Sequence, residues 1–230
     1  MRRSRINEIL QEGEETIARH GVALPPFAWW TPEEMAERAP GTRIADARMG
    51  WDVTDYGQET FGSLGLVLFT LRNGRLADLQ GGGGMAYAEK LLISRRDQLS
   101  PMHTHVIKAE DIICRGVDGP GARLAVQLHG SDPDGGFDAG AGGEVMLDGV
   151  PRRFKAGEVL LLAPGESVTL MPGDWHAFWG EGGDVLIGEV STVNDDETDN
   201  RFRDPVGRFS RVEEDEPPRR LLVSDYAGHL

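Results

Sequence analysis

The chain has 230 residues and a formal net charge of −14, from 24 Lys and Arg against 38 Asp and Glu. Such an acidic surface repels phosphate backbones and anionic lipid, so nucleic acid and membranes are excluded as expected partners. A single cysteine, Cys114, cannot form an internal disulfide, and no long apolar run follows the basic N-terminal residues. We therefore expect a one-domain protein of the cytoplasm.

The first part of the chain, residues 1–42, predicts a helical extension. Residues 4–20 carry isoleucine and leucine at helical spacing with glutamates elsewhere, which predicts an amphipathic helix. A second helix is expected to begin at Thr31, a capping residue followed by a proline and two glutamates, and to end near Pro40.

Short strand signals fill residues 43–200, which we expect to form a barrel, with residues 201–230 wrapping it as a C-terminal extension of the same domain. The predicted strands cover residues 63–71, 90–94, 99–106, 112–114, 124–128, 144–147, 152–154, 159–162, 167–171, 176–179 and 185–190. Asn73-Gly74 and Asp148-Gly149 offer hairpin turns, and residues 130–143 form a loop rich in Gly and Asp. This even spacing indicates a closed or double-sheet antiparallel fold.

Three histidines and one glutamate form the ligand set of a candidate metal site. His103 and His105 are two residues apart on a predicted strand, so their side chains point to the same face. Glu110 follows after room for a bend, and His176 comes after a Pro-Gly turn. Imidazole and carboxylate are common ligands of divalent metals, so the pattern predicts that two strands bring four ligands to one point.

The spacing of these ligands resembles the two motifs of the cupin superfamily. The matching residues are His103-x-His105-x4-Glu110-x5-Gly116 and Gly173-x-x-His176. The chain departs from the pattern at Asp97 and Gly180, where cupins often have Gly and Asn. The resemblance implies an all-β cupin double-stranded β-helix, a jelly-roll barrel, with the N-terminal helices packed outside.

A more specific resemblance, which runs over most of the chain, is to the D-lyxose isomerases of the cupin superfamily. The stretches that carry it are residues 24–32, 101–113, 172–179, 188–196 and 200–202. The resemblance implies aldose–ketose isomerisation, with D-lyxose and D-xylulose as the first substrate pair and D-mannose and D-fructose as the second. It also implies manganese as the metal and a homodimer as the assembly.

An isomerase of this kind needs a metal that polarises a carbonyl while some coordination positions stay open. Four protein ligands on an octahedral ion leave two positions for sugar oxygens, which suits Mn²⁺ better than a closed tetrahedral Zn²⁺ site. Mn²⁺ is therefore the expected cofactor, and Zn²⁺, Co²⁺ and Fe²⁺ are the alternatives.

Two charged residues are candidates for catalysis. Lys108 is odd in number like both nearby histidines, so it faces the metal side if the strand continues. A cation there would bind a sugar hydroxyl or stabilise an enediolate, and its pKa would be open to lowering. Glu189 alternates with apolar residues on a predicted strand, and burial would raise its pKa and make it a general acid or base. Lys108 would otherwise be a solvated surface lysine or an ion-pair partner of Glu110. Glu189 would otherwise be a carboxylate satisfied by an ion pair without a catalytic role.

Further candidates for substrate binding lie nearby. Asp195, Asp196 and Arg201 follow the strand of Glu189, and such groups at a cavity mouth bind several hydroxyls at once. Trp179 is placed beside His176 and would line the sugar pocket. The alternatives are a solvated acidic loop for the former and core packing for the tryptophan.

Two other functions compete with the isomerase. A metal-dependent dioxygenase also uses three histidines and a glutamate, with Fe²⁺ as the ion, but Lys108 and Glu189 favour a polyol over an apolar substrate. A non-catalytic sugar-binding cupin would need neither the ligands nor a buried acid/base pair. The sequence leaves open whether hydrogen moves through an enediol or by a hydride shift.

Overall fold

The computed structural model describes residues 1–230 as two antiparallel sheets with helices against one of them. The helices are α1 Arg3–Arg19, a 3-10 turn Pro26–Trp29, α2 Pro32–Arg38, α3 Arg43–Asp46, α4 Leu76–Gln80 and α5 Tyr226–His229. The strands are β1 Gly50–Thr54, β2 Leu66–Arg72, β3 Tyr87–Ser94, β4 Ser100–His105, β5 Glu110–Asp118, β6 Arg123–His129, β7 Gly143–Leu147, β8 Val150–Phe154, β9 Glu158–Leu162, β10 Ser167–Leu170, β11 Trp175–Glu181, β12 Asp184–Thr192 and β13 Asn200–Phe202. The all-β prediction is confirmed.

The larger sheet has eight strands in the order β1-β2-β3-β12-β5-β10-β7-β8, and the smaller has five in the order β13-β4-β11-β6-β9. All named strand pairs are antiparallel, and most neighbours are distant in sequence. Apolar side chains of both sheets meet in one buried cluster, with Ile112 from one sheet and Val126 from the other. The site lies at one end of this interior.

The larger sheet is covered on its other side by the N-terminal helices, as expected. Ile6 and Ile17 of α1 pack with Val67 and Phe69 of β2. Leu68, between those two in sequence, belongs to the interior cluster instead. Because side chains alternate along a strand, β2 is buried on both faces and fixes the helical layer to the barrel.

Local sequence signals fix several boundaries. Thr31 Oγ1 accepts a hydrogen bond from the Glu34 amide at 3.2 Å, and the Glu34 side chain accepts one from the Thr31 amide at 3.1 Å, which is a complete capping box at the start of α2. Asp148 and Gly149 have φ of 49° and 82°, as a tight turn between β7 and β8 requires. Both predictions are confirmed.

The prediction of a hairpin turn at Asn73-Gly74 is wrong. The connection from β2 to β3 runs over residues 73–86 and contains α4. The Asn73 side chain is buried and donates to the carbonyls of Ala47 and Asn194 at 3.0 and 2.9 Å, so this residue joins distant segments. A Cβ on Gly74 would lie 1.8 Å from the Met85 carbonyl oxygen, so close backbone approach explains the glycine. Sequence reasoning also missed strand β1.

The C-terminal residues run along the barrel and the helical layer. β13 pairs with β4, so the expected boundary near residue 200 falls within a strand. Arg3, 1% exposed, forms ion pairs with Glu214 at 2.6 Å and Asp225 at 2.9 Å. The division at residues 42 and 200 stays a prediction.

None of the helices combines the length and the apolar character needed to cross a lipid bilayer.

Candidate active site

Three imidazoles converge where β4 meets β11. His103 and His176 are paired across the two strands, and His105 lies two residues further along β4 on the same face. The centroids of the rings lie 4.1 Å apart for His103 and His176 and 5.2 Å apart for His103 and His105. All three side chains are buried, and one nitrogen of each lies within 4.8 Å of the others.

The orientation of two of these rings is fixed by backbone carbonyls. His103 Nδ1 lies 2.8 Å from the Pro101 carbonyl oxygen, and His176 Nδ1 lies 3.1 Å from that of Asp174. Since a carbonyl only accepts, each Nδ1 donates its proton there and leaves the lone pair on Nε2. That is the tautomer which a metal-binding histidine needs.

Glu110, the first residue of β5, brings a carboxylate to the same point. Its Oε1 lies 3.3 Å from His105 Nε2 and 3.1 Å from His176 Nε2. Burial raises the pKa of Glu110, but Lys108 and the neighbouring histidine outweigh it, so this pKa lies well below its usual range. The pKa of His103 is also lowered well below its usual value, by burial and by the other imidazoles.

These residues fit a divalent cation. His105 Nε2, His176 Nε2 and Glu110 Oε1 are buried without a hydrogen-bond partner, which is costly for polar atoms unless an ion satisfies them. The carboxylate is ionised and His103 is neutral at pH 7, as metal ligation requires. The predicted ligands therefore come together as a set able to hold a metal.

Lys108 reaches this site from an irregular link and not from a continued strand, since β4 ends at His105. Its Nζ lies 2.6 Å from Glu110 Oε2 and 2.9 Å from Glu189 Oε1. Burial lowers the pKa of Lys108, but the two carboxylates outweigh it, so the pKa is raised. The expectation of a lowered pKa is wrong, because it ignored these partners.

Glu189 of β12 is only 4% exposed, as its place on an apolar face predicted. Burial raises its pKa, but Lys108 and Lys90 outweigh burial, so the pKa is lowered and not raised as expected. Lys90 of β3 stands opposite Glu189 in the sheet, with Nζ 3.3 Å from Oε1. Sequence reasoning missed Lys90. The available signal was its place two residues before Leu92 on the same strand, which puts it on the interior face, just as Glu189 lies two residues after the interior residue Ile187.

A second group of buried charges centres on Arg208. Arg208 donates to Asp52 at 2.8 Å and to Asp196 at 3.0 Å. Burial raises the pKa of Asp196, but Arg208 and Lys90 outweigh it, so that carboxyl stays ionised. Sequence reasoning missed Arg208, which lies in an irregular segment without a periodic signal.

Of these groups, all but His176 and Asp52 line one cavity between the sheets, together with apolar side chains. Its lining comprises Tyr56, Leu66, Leu68, Lys90, Leu92, Ser100, His103, His105, Lys108, Glu110, Ile112, Phe178, Glu189, Asp196, Asn200, Phe202 and Arg208. Ligand atoms, a buried base and several hydrogen-bonding groups in one cavity suit a small polyhydroxylated substrate.

The family model for "D-lyxose isomerase" matches residues 1–226. The chain belongs to the D-lyxose isomerase family. It is 48% identical over 232 residues to a D-lyxose/D-mannose isomerase of Serratia proteamaculans and 42% identical over 230 residues to one of Escherichia coli O157:H7, with 98% of both chains covered in each case. The prediction of a sugar isomerase of this family is therefore confirmed.

Solved structures of lower sequence identity show the same fold. An L-ribose isomerase of Cellulomonas parahominis with L-psicose superposes with a TM-score of 0.60 at 16% identity, covering 93% of this chain and 98% of that one. An L-ribose isomerase of Acinetobacter sp. DL28 in complex with L-ribose gives 0.60 at 15%, with the same coverage. The expected cupin barrel is confirmed.

Three residues predicted to bind substrate lie outside the cavity lining. Arg201 is the middle residue of β13, so it points away from the cavity that its neighbours line, and it donates to the Gly135 carbonyl at 3.2 Å. Trp179 Nε1 donates to Glu181 at 2.8 Å, and Asp195 accepts from the Glu197 amide within a turn. Their part in substrate binding stays a prediction.

Proposed function

We propose that this isomerase interconverts D-lyxose with D-xylulose, and D-mannose with D-fructose. The observation that carries the proposal is the buried contact of Lys108 with Glu189, in the cavity that His103, His105 and Glu110 also line. The two relatives described above carry the name D-lyxose/D-mannose isomerase. D-lyxose and D-mannose have the same configuration at C2, C3 and C4, so one set of groups at the reacting end serves both.

We further propose that His103, His105, Glu110 and His176 hold one Mn²⁺ ion. The bound ion would supply Lewis-acid polarisation of the sugar carbonyl. Carboxylate oxygen suits Mn²⁺ and imidazole nitrogen suits Zn²⁺ and Fe²⁺. An octahedral ion that leaves two positions for sugar oxygens favours Mn²⁺, and Zn²⁺, Co²⁺ and Fe²⁺ are the alternatives for the test below.

In the proposed reaction Glu189 is the base. Its lowered pKa keeps it ionised at neutral pH, so its carboxylate can accept the proton from C2 of the aldose. The electron pair of the broken C2–H bond forms the C1–C2 double bond of an enediolate, and the carbonyl oxygen takes the negative charge. The hydroxyl proton on O2 then moves to O1, the C2 oxygen becomes the carbonyl oxygen, and return of the proton from Glu189 to C1 gives the ketose.

Lys108 stabilises the enediolate in this scheme. Its raised pKa keeps it a cation, and burial strengthens its attraction for developing negative charge. Lys90 and Arg208 supply further donors for hydroxyl groups on the same cavity wall, and Asp196 supplies an acceptor. The concentration of charge favours a polyol over the apolar substrate of a dioxygenase.

The test is a metal-reconstitution experiment. Chelated protein is loaded separately with Mn²⁺, Zn²⁺, Co²⁺ and Fe²⁺ and offered D-lyxose, D-mannose and L-ribose, with His103→Ala as the control. We expect ketose from D-lyxose and D-mannose, fastest with Mn²⁺ and absent in the control. No turnover of either sugar by protein with a filled site would end the proposal, and oxygen consumption with Fe²⁺ would support the dioxygenase.

The route of the hydrogen is tested with the substrate labelled at C2. Loss of the deuterium to solvent, by exchange with water while it is held on the Glu189 carboxyl, supports proton transfer, whereas its complete retention at C1 supports a hydride shift. We also propose a cytoplasmic homodimer, from the family resemblance, and light scattering of the eluted protein gives the mass that tests the dimer.

A further inference from the structure

Asp199 is a buried carboxylate that no motif in the sequence marks. It is 5% exposed and ends a turn that begins at Asp195, whose carbonyl accepts from the Asp199 amide at 3.2 Å. Its side chain accepts from three consecutive backbone amides, those of Val106 at 3.0 Å, Ile107 at 2.7 Å and Lys108 at 3.0 Å. Bonds from amides to an ionised carboxylate are stronger than bonds between neutral groups.

These three amides belong to the link between β4 and β5, which has no partner strand of its own. The link joins His105, the last residue of β4, to Glu110, the first of β5, and it carries Lys108. Successive amides that surround one anion form a concave backbone nest. Asp199 therefore fixes the backbone from which the Lys108 side chain extends towards Glu189.

The same carboxylate lies beside a ligand ring. Asp199 Oδ2 is 3.7 Å from His105 Nδ1, whereas His103 and His176 each place Nδ1 against a backbone carbonyl. The distance is too long for a direct hydrogen bond, but the negative charge favours a proton on Nδ1. That tautomer leaves the lone pair on Nε2, which faces Glu110.

We propose that Asp199 is a positioning residue that sets a metal ligand and the catalytic lysine at the same time. The Asp199 carboxylate orients the His105 ring by its charge, and it orients Lys108 by holding the backbone amides of the link. This inference rests on the proposed function, because it assigns Lys108 and His105 the roles given above. It adds a residue that touches neither the substrate nor the ion.

The test compares Asp199→Asn with Glu197→Gln, an exposed carboxylate two residues away that pairs with Arg48 on the surface. Binding of MnCl₂ to chelated protein, measured by calorimetry without sugar, is expected to weaken about 10- to 100-fold in Asp199→Asn. At saturating Mn²⁺ its kcat is expected to stay about tenfold below that of the wild type, since excess metal cannot restore the position of Lys108. Glu197→Gln is expected to match the wild type in both.

A purely structural role predicts a lower melting temperature for Asp199→Asn with unchanged Mn²⁺ affinity and kcat, and that result would overturn the proposal. If the variant does not fold, ¹⁵N NMR of the chelated wild type decides, with the proton of His105 expected on Nδ1; a proton on Nε2 overturns the proposal. Wild-type protein that neither binds Mn²⁺ nor isomerises sugars would instead remove the proposed function itself, so the two failures are distinguishable.

Discussion

Lys108 and Glu189 meet in a buried ion pair, with Nζ 2.9 Å from Oε1, although 81 positions separate them in the chain. Each charge stabilises the other where water cannot, so both groups stay ionised. The pair therefore presents a base and a cation together, which is what removal of a proton next to a carbonyl requires.

Replacing Glu189 by glutamine keeps the shape of the side chain but removes the base. We expect kcat to fall by roughly 10²- to 10⁴-fold with KM changed only a few-fold, because general-base catalysis contributes about that much. Initial rates of ketose formation measure it. Glu89→Gln is the matched control, because Glu89 lies on β3 and forms an exposed ion pair with Arg72, away from the site. Wild-type kcat in Glu189→Gln would mean that another group takes the proton.

Removing one imidazole should empty the metal site. Loss of a residue that only hydrogen-bonds to a metal ligand costs up to about 100-fold, and loss of a ligand itself should cost more. We therefore expect His176→Ala to lower kcat/KM at limiting Mn²⁺ by more than about 100-fold. Elemental analysis after dialysis should show the metal content falling in parallel. His129→Gln is the control, since His129 pairs with Trp175 on the neighbouring strand and is not one of the clustered imidazoles. Equal metal content in His176→Ala and the wild type would contradict the proposed ligand set.

The charges around Arg208 are expected to matter for stability. Arg208→Ala would remove the ion-pair partner of Asp52 and leave Asp196 with Lys90, whose Nζ lies 3.9 Å from its Oδ1. Loss of one partner of a buried ion pair costs about 3–5 kcal/mol. Arg203→Ala breaks a surface ion pair with Asp204 and an exposed cation–π contact with Phe137, each of which is worth about 1 kcal/mol or less. Urea unfolding measures both free energies, and similar losses in the two variants would show that the Arg208 network is not stabilising.

The metal-free protein should lose stability as the pH falls below about 6.5. Burial lowers the pKa of His103 and of His105, so the unfolded chain takes up protons that the folded chain does not. His103, whose pKa lies well below its usual value, costs about 1.4 kcal/mol of unfolding free energy between roughly pH 7.5 and 5.5, and His105 adds to that loss. Glu110 and Glu189, with lowered pKa values, keep their contributions until the pH falls below about 4.5. Lys108, with a raised pKa, keeps its contribution below about pH 10.5.

Urea unfolding in the presence of a chelator at the two pH values measures this loss. The variant in which His103 and His105 are both replaced by glutamine should show a much flatter dependence. An unfolding free energy of the wild type that is constant over this range would show that the imidazoles are protonated in the folded chain.

The predictions that succeeded rest on local rules. His103 and His105 share a face because strand side chains alternate, and the helix at Thr31 begins with a capping box because its residue types are adjacent in sequence. Asp97 shows the limit of motif matching: it stands where cupins often have glycine, and its φ of 57° lies in the left-handed region that glycine favours. The backbone geometry of the motif is kept there without its usual residue.

The sequence by itself determined the strand-rich architecture, the candidate ligands and the family, because periodicity, spacing and residue type are properties of short stretches. Only the tertiary structure decided which charges meet: Lys90 stands opposite Glu189 through strand pairing, and Arg208 and Asp199 arrive from irregular segments. It also decided the direction of the pKa shifts of Lys108 and Glu189, because each shift is the balance between burial and partners that lie far away in the chain.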